Sequence, residues 1–195
     1  MRVMIDPRAV ATLVGSFADS VNGQGTGDGA ALKSCDLTVM LLGCSPAPFS
    51  RHQFTPGHVT CTGLVLAHDG ARVLLVHHGR LDRWLAPGGH VEPEDAEIWD
   101  SARREVIEET GVPLAAGGVP LLAGADVHGI PAKGSEPYHL HHDLLFMFRA
   151  LSDEFRLSDE SLAIAWCAPA EFDRYQVPAN LRRAYVRVRE LSSTR

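Results

Sequence analysis

Residues 88–112 read GGHVEPEDAEIWDSARREVIEETGV, and every other segment takes its meaning from this stretch. It sets Glu105, Glu108 and Glu109 at positions i, i+3 and i+4. Residues three and four apart are neighbours on a helix surface. Three carboxylates held that close repel one another, and each destabilises the ionised form of the others. A purely structural helix gains little from such a cluster. A divalent cation reverses the balance, because hard cations such as Mg²⁺ take carboxylate oxygens and arrive with bound substrate phosphates.

The flanks of the stretch delimit the helix. The pair Gly88-Gly89 reads as a turn just upstream. Asp95 is the expected N-cap, its carboxylate accepting backbone N–H groups of the first turn. The expected helix spans residues 96–110, with Gly111 just past its end as the C-terminal cap. Trp99, Ala102 and Val106 form an apolar stripe beside the glutamates, so the helix can dock on a sheet.

The same residues resemble the signature of the Nudix hydrolase family, G-x5-E-x7-R-E-U-x-E-E-x-G-U, where U is a bulky aliphatic residue. Arg104, Glu105, Val106, Ile107, Glu108, Glu109, Thr110, Gly111 and Val112 match its second half without a gap. The first half departs from it. Five residues after Gly89 the chain has Asp95 where the family has Glu, and eight residues rather than seven separate Asp95 from Arg104.

Bulk properties fit one domain with some additional structure. The chain has 195 residues, of which 45% are hydrophobic and 22% charged, enough for a core and too apolar for a wholly disordered chain. A formal charge of −6 argues against a general nucleic-acid-binding surface. A nucleotide substrate stays compatible with that charge, because metal ions supply positive charge locally. Cys35, Cys44, Cys61 and Cys167 form no C-x-x-C pair, and no disulfide framework is expected. No apolar run approaches the roughly 20 residues that span a bilayer. The expectation is a cytoplasmic protein with a small-molecule partner and no nucleic-acid or membrane partner.

Along the chain, residues 7–21 show a helical stripe of Val10, Leu13, Val14 and Phe17. NGQGTGDG, residues 22–29, is a connector by composition. Residues 32–42 suit either a helix or a strand. This arm, residues 1–50, is expected to be an N-terminal helical extension, read as packing or a homodimer surface, with a substrate lid as the alternative. Strands are expected over 58–67 and 73–77, joined at the Asp69-Gly70 turn. Further strands are expected over 119–127, over 140–150 and around Trp166-Cys167. A last amphipathic helix is expected over 178–191. Pattern alone gives a mixed α/β class. The resemblance implies more: a Nudix-type α/β/α sandwich with a mixed sheet, occupying residues 51–195.

It also implies roles. Glu105, Glu108 and Glu109, with the Gly88 carbonyl, would bind Mg²⁺ or Mn²⁺. Arg104 would orient Glu105. The proton of the attacking water would go to Glu105 or to a carboxylate on a separate loop, with Glu160 the first candidate and Glu154 and Glu136 its rivals. Arg80 and Arg83 are candidates for substrate phosphate, and His90, inside the signature loop, is a further candidate to approach the phosphates. In YHLHHDLLFMF, residues 139, 141 and 143 share one strand face. His139 and His141, with Tyr138, are candidate substrate contacts; a zinc site built from His and Asp is the alternative. Trp84, Trp99, Tyr138 and Phe49 are aromatics able to stack on a base. The expected activity is metal-dependent hydrolysis of a diphosphate linkage, in a nucleoside diphosphate derivative or nucleoside triphosphate, by water attack at phosphorus. The rivals are a non-catalytic nucleotide-binding sensor on the same scaffold and an isomerase of prenyl diphosphates.

Overall fold

A computed structural model describes residues 5–23, 28–79, 81–157 and 161–193. Arg80, Glu160 and part of the NGQGTGDG connector lie outside the described residues. The chain opens with two helices, α1 (Pro7–Gly23) and α2 (Gly29–Cys44). In α1 the stripe of Val10, Val14, Phe17 and Val21 is buried. The segment that suits either helix or strand is helical. Asp28 sets its start by accepting the Ala31 N–H at 3.1 Å. Ala31, Ser34, Cys35, Thr38, Leu41 and Leu42 then recur at helical spacing on its buried face.

Seven strands follow: β1 (Gly57–Leu66), β2 (Val73–His78), β3 (Arg83–Leu85), β4 (Gly88–His90), β5 (Leu121–Ile130), β6 (His139–Arg149) and β7 (Ser161–Cys167). Between β4 and β5 lies α3 (Ile98–Thr110), and α4 (Ala179–Ser193) ends the described chain. The sheet order is β3-β2-β1-β6-β5, with β4 paired to β1 and β7 to β2. The β1–β6 pair is parallel and the others are antiparallel, so the sheet is mixed. Gly70, at φ +71°, sits in the turn between β1 and β2, as the Asp69-Gly70 pair predicts.

Nearly every residue of β1 is buried, because both faces of the strand are covered. Val59, Cys61, Val65, Leu144, Phe146 and Phe148 meet Val14, Leu41, Ala102 and Val106 on the side of α1, α2 and α3. Leu64, Leu66, Val73, Leu75 and Leu145 meet Leu181, Ala184, Tyr185 and Val188 of α4 on the other. Strand alternation produces the two sets from one sequence. The result is an α/β/α sandwich. The N-terminal arm is locked to the C-terminal helix by a buried ion pair, Arg187 Nη2 to Asp28 Oδ2 at 2.8 Å. Among the described residues no helix is long and apolar enough to cross a membrane.

Two local expectations are corrected. Gly88-Gly89 is not a turn: both residues are strand residues of β4, opposite Thr62 and Cys61 of β1. Glycine is required there by close approach. A Cβ on Gly88 would lie 2.7 Å from the Cys61 carbonyl oxygen. Nor is Asp95 the N-cap of α3. That position belongs to Glu97, whose backbone N–H donates to Asp100 Oδ2 at 3.0 Å. The C-terminal end is as expected, with Gly111 at φ +63° donating its N–H to the Ile107 carbonyl at 2.9 Å.

Candidate active site

The site is built where α3 lies against β4. Ile98, Ala102 and Val106 anchor α3 on β1, which turns Arg104, Glu105, Glu108 and Glu109 toward the rim. Arg104 is the hub. Its Nη1 donates to Glu105 Oε1 at 2.8 Å and to Glu108 Oε2 at 3.2 Å. Its Nη2 donates to the His90 carbonyl at 2.8 Å, and its Nε to Asp95 Oδ1 at 3.2 Å. One guanidinium therefore ties two glutamates of the helix to the backbone of β4. Its planar fork suits several acceptors at once, as a lysine would not.

Asp95 is the buried end of this network, with a side chain only 5% exposed. It also accepts Ser101 Oγ at 2.7 Å and the Glu92 N–H at 2.9 Å. Burial alone would raise its carboxyl, but Arg104, Glu92 and Ser101 together hold it below the ordinary aspartate value. Burial likewise opposes the charge on Arg104, and Asp95 and Glu105 more than offset it. The sequence singles out Asp95 only as a departure from the signature. Its role as the anchor of Arg104 is a tertiary fact.

The glutamates also meet the two glycines. Glu109 Oε1 accepts the Gly88 N–H at 2.9 Å. The Glu105 carboxylate stands so close to Gly89 that a Cβ there would fall 2.5 Å from its Oε1. Glu105 is 18% exposed and Glu108 59% exposed at the side chain, so the acidic face grades from half-buried to open. A groove of about 420 Å³ follows this helix, lined by Asp95, Arg103, Arg104, Ile107 and Glu108 among others.

Other sequence candidates fall elsewhere. Arg83 is exposed at the start of β3, and Tyr138 is 63% exposed just before β6. Trp84 stacks on His77 at 5.0 Å, with Tyr175 edge-on at 4.9 Å. Trp99 packs edge-on to Phe146 in the core, and Phe49 packs against the same core. Glu154 and Glu136 are exposed. Glu136 sits in the loop between β5 and β6, bridged to Lys133.

The histidines form a group on the sheet face opposite α3. Parallel pairing sets His58 of β1 beside His141 of β6, and antiparallel pairing sets His128 of β5 on its other side. His90 of β4 stands opposite Thr60. The ring centroids of His58, His90, His139 and His141 lie 4.8–5.3 Å apart wherever they touch. Burial, then repulsion from neighbouring charges, lowers His90 to about 4 and His141 to about 2. His142 points to the other face, its Nδ1 3.2 Å from Thr38 Oγ1 of α2. Asp143 accepts from Thr60 Oγ1 at 3.1 Å and from Thr62 Oγ1 at 2.8 Å, and burial raises its carboxyl. The sequence points to His139 and His141 but not to His58. Only the β1–β6 pairing reveals it, and no local motif announces that pairing.

The NUDIX domain family model matches residues 57–188. A NUDIX-family hydrolase from Clostridium perfringens superposes with a TM-score of 0.51 at 19% identity, over 73% of this chain and 99% of that one. A NUDIX hydrolase from Nitrosomonas europaea gives 0.50 at 21% identity, over 69% of this chain and 88% of that one. These likenesses show the fold. No curated protein matches the chain. The family match covers more than half the chain and takes in the sheet, α3 and the glutamate face; this protein belongs to the NUDIX family of hydrolases.

Proposed function

We propose that the protein hydrolyses a diphosphate linkage in a nucleoside diphosphate derivative or a nucleoside triphosphate, with Mg²⁺ or Mn²⁺ as cofactor. The observation that carries this reading is the meeting of α3 with β4. Glu105 abuts Gly89, Glu109 accepts the Gly88 N–H at 2.9 Å, and Arg104 spans Glu105 and Glu108. Carboxylate oxygens and a backbone carbonyl are the hard donors that such cations take. Glu105, Glu108, Glu109 and the Gly88 carbonyl would hold the ion. Bound there, it would screen the phosphate oxygens and lower the pKa of a water.

The chain's own residues supply the rest. Arg104 fixes the Glu105 carboxylate in one orientation, and the packing of Glu105 on Gly89 limits where that carboxylate can swing. Glu105 is thereby positioned to accept a proton from water. Arg83 is exposed and suits a substrate phosphate, and Tyr138 offers an exposed ring to a base.

The reading is tested by incubating purified protein with a panel of nucleoside diphosphate derivatives and nucleoside triphosphates, with Mg²⁺ and with a chelator. Turnover of at least one compound is expected with Mg²⁺ and none with chelator. In ¹⁸O-labelled water the label should appear on a phosphate product. No turnover across the panel, or label only on a carbon-bound hydroxyl, would overturn the reading.

A further inference from the structure

We infer that His58, His90 and His141 form a second cation site, distinct from the glutamate face and suited to a borderline ion of the Zn²⁺ class. The inference is independent of the proposed hydrolysis. One ring nitrogen from each of the three residues lies within 4.8 Å of the others. The three come from three strands, β1, β4 and β6, so sheet pairing itself holds them together.

The tautomer of His58 points to a ligand. Its Nδ1 lies 3.0 Å from the Gln53 carbonyl. A carbonyl only accepts, so Nδ1 carries the proton and Nε2 presents a lone pair. That Nε2 is buried with no hydrogen-bond partner, in a residue that is 0% exposed. A buried acceptor with no donor is costly. A metal-bound histidine commonly donates its second ring N–H to a backbone carbonyl, which fixes the ring and raises its basicity. His58 already has that arrangement. His139 has the matching contact, Nδ1 to the Pro137 carbonyl at 2.9 Å, and its ring stacks on His58 with 27° between planes. It forms a wall of the cluster.

An anion is a poor occupant. The unpartnered Nε2 of His58 presents a lone pair to the cluster, and a lone pair repels phosphate oxygen. A cation is favoured by that same lone pair. Imidazole nitrogen selects Zn²⁺ and its transition-metal neighbours over Mg²⁺, which takes oxygen. Three nitrogens on one tetrahedral Zn²⁺ lie about 3.4 Å apart, from Zn–N bonds of about 2.1 Å. The rings would therefore draw inward on loading. The fourth position stays open to water or an added ligand. The His90 carbonyl accepts from Arg104 at 2.8 Å. An ion on the His90 ring would thus brace β4 from the face opposite the glutamates.

The test is to strip the full-length protein of metal, saturate it with Mg²⁺, and titrate Zn²⁺ by calorimetry with elemental analysis. One equivalent per chain is expected, with a rise in Tm. His90→Gln and His141→Gln should each weaken binding by at least about 100-fold, while Glu108→Gln leaves the affinity unchanged. Circular dichroism confirms that each variant is folded. Titration of the unmutated protein with Co²⁺ gives a reading that needs no variant: visible bands of a tetrahedral, nitrogen-ligated ion are expected. Absence of binding overturns the inference. So does Zn²⁺ affinity untouched by both histidine changes, or lost in Glu108→Gln instead. None of these results bears on whether Mg²⁺ supports hydrolysis.

Discussion

Asp95 shows how much one carboxylate does in this molecule. It holds Arg104 through two guanidinium nitrogens, Nε and Nη2, while accepting from Ser101 Oγ and the Glu92 N–H. Removing the buried member of a charged network strips Arg104 of its most buried acceptor and leaves Ser101 and the Glu92 N–H without theirs. Asp95→Ala should therefore cost about 3 kcal/mol, read by urea unfolding, and should lower turnover because Glu105 loses its fixed orientation. The network is also acid-sensitive. The folded-state pKa of Asp95 lies below its unfolded value, so its contribution is present above about pH 4 and is lost as pH falls through the folded value. Asp95→Asn should flatten the fall of Tm below about pH 4 and leave the slope at neutral pH alone. The two glycines make a second contrast. A methyl on Gly89 would first meet the side-chain end of Glu105, whereas one on Gly88 would meet the Cys61 and Thr62 backbone. Gly89→Ala should cut activity with a Tm within a few degrees of the parent; Gly88→Ala should lower both. At this scale the glutamates were legible in the sequence, because helical spacing alone places them. The task of Asp95 was not, because its partners lie up to nine residues away across a helix start.

Among the elements, α3 was the most legible. Its apolar stripe, its glutamate face and its glycine stop are all written locally, and only its start moved, from the expected residue 96 to Ile98. Gly111 adopts a left-handed conformation that a side chain strains. Gly111→Ala should cost about 1 kcal/mol in thermal or urea unfolding without changing which metals support activity. The three-residue β4 was hidden, since so short a strand exists only through its pairing with β1. The pair Gly88-Gly89 reads as a turn by composition, and close packing rather than chain reversal is what selects it. α2 was ambiguous for another reason: a run apolar nearly all round fits a buried strand as well as a buried helix. The cap at Asp28 decides it.

At the scale of the molecule, residues 159 apart in sequence close the sandwich, as Arg187 of α4 binds Asp28 ahead of α2. Phe17 of α1 covers the same guanidinium, 5.0 Å away. The arm is thus built into the sandwich. Arg187→Met would leave Asp28 buried with only Arg183 beside it at 3.0 Å. It should cost about 3 kcal/mol, or roughly 6–12 °C in Tm. The histidine group belongs to this scale too, since it exists only when β1, β4 and β6 are side by side. In the proposed activity the acidic face of α3, meeting β4, supports hydrolysis of a phosphoric anhydride with a divalent cation. The decisive experiment is the initial rate on a nucleoside diphosphate derivative as Mg²⁺ is titrated, for the parent chain and for Glu108→Gln. Saturable Mg²⁺ dependence is expected in the parent, and a rate at least about 100-fold lower in the variant, with Tm nearly unchanged. Equal rates in the two proteins, or a parent rate indifferent to Mg²⁺ and to chelator, would contradict it.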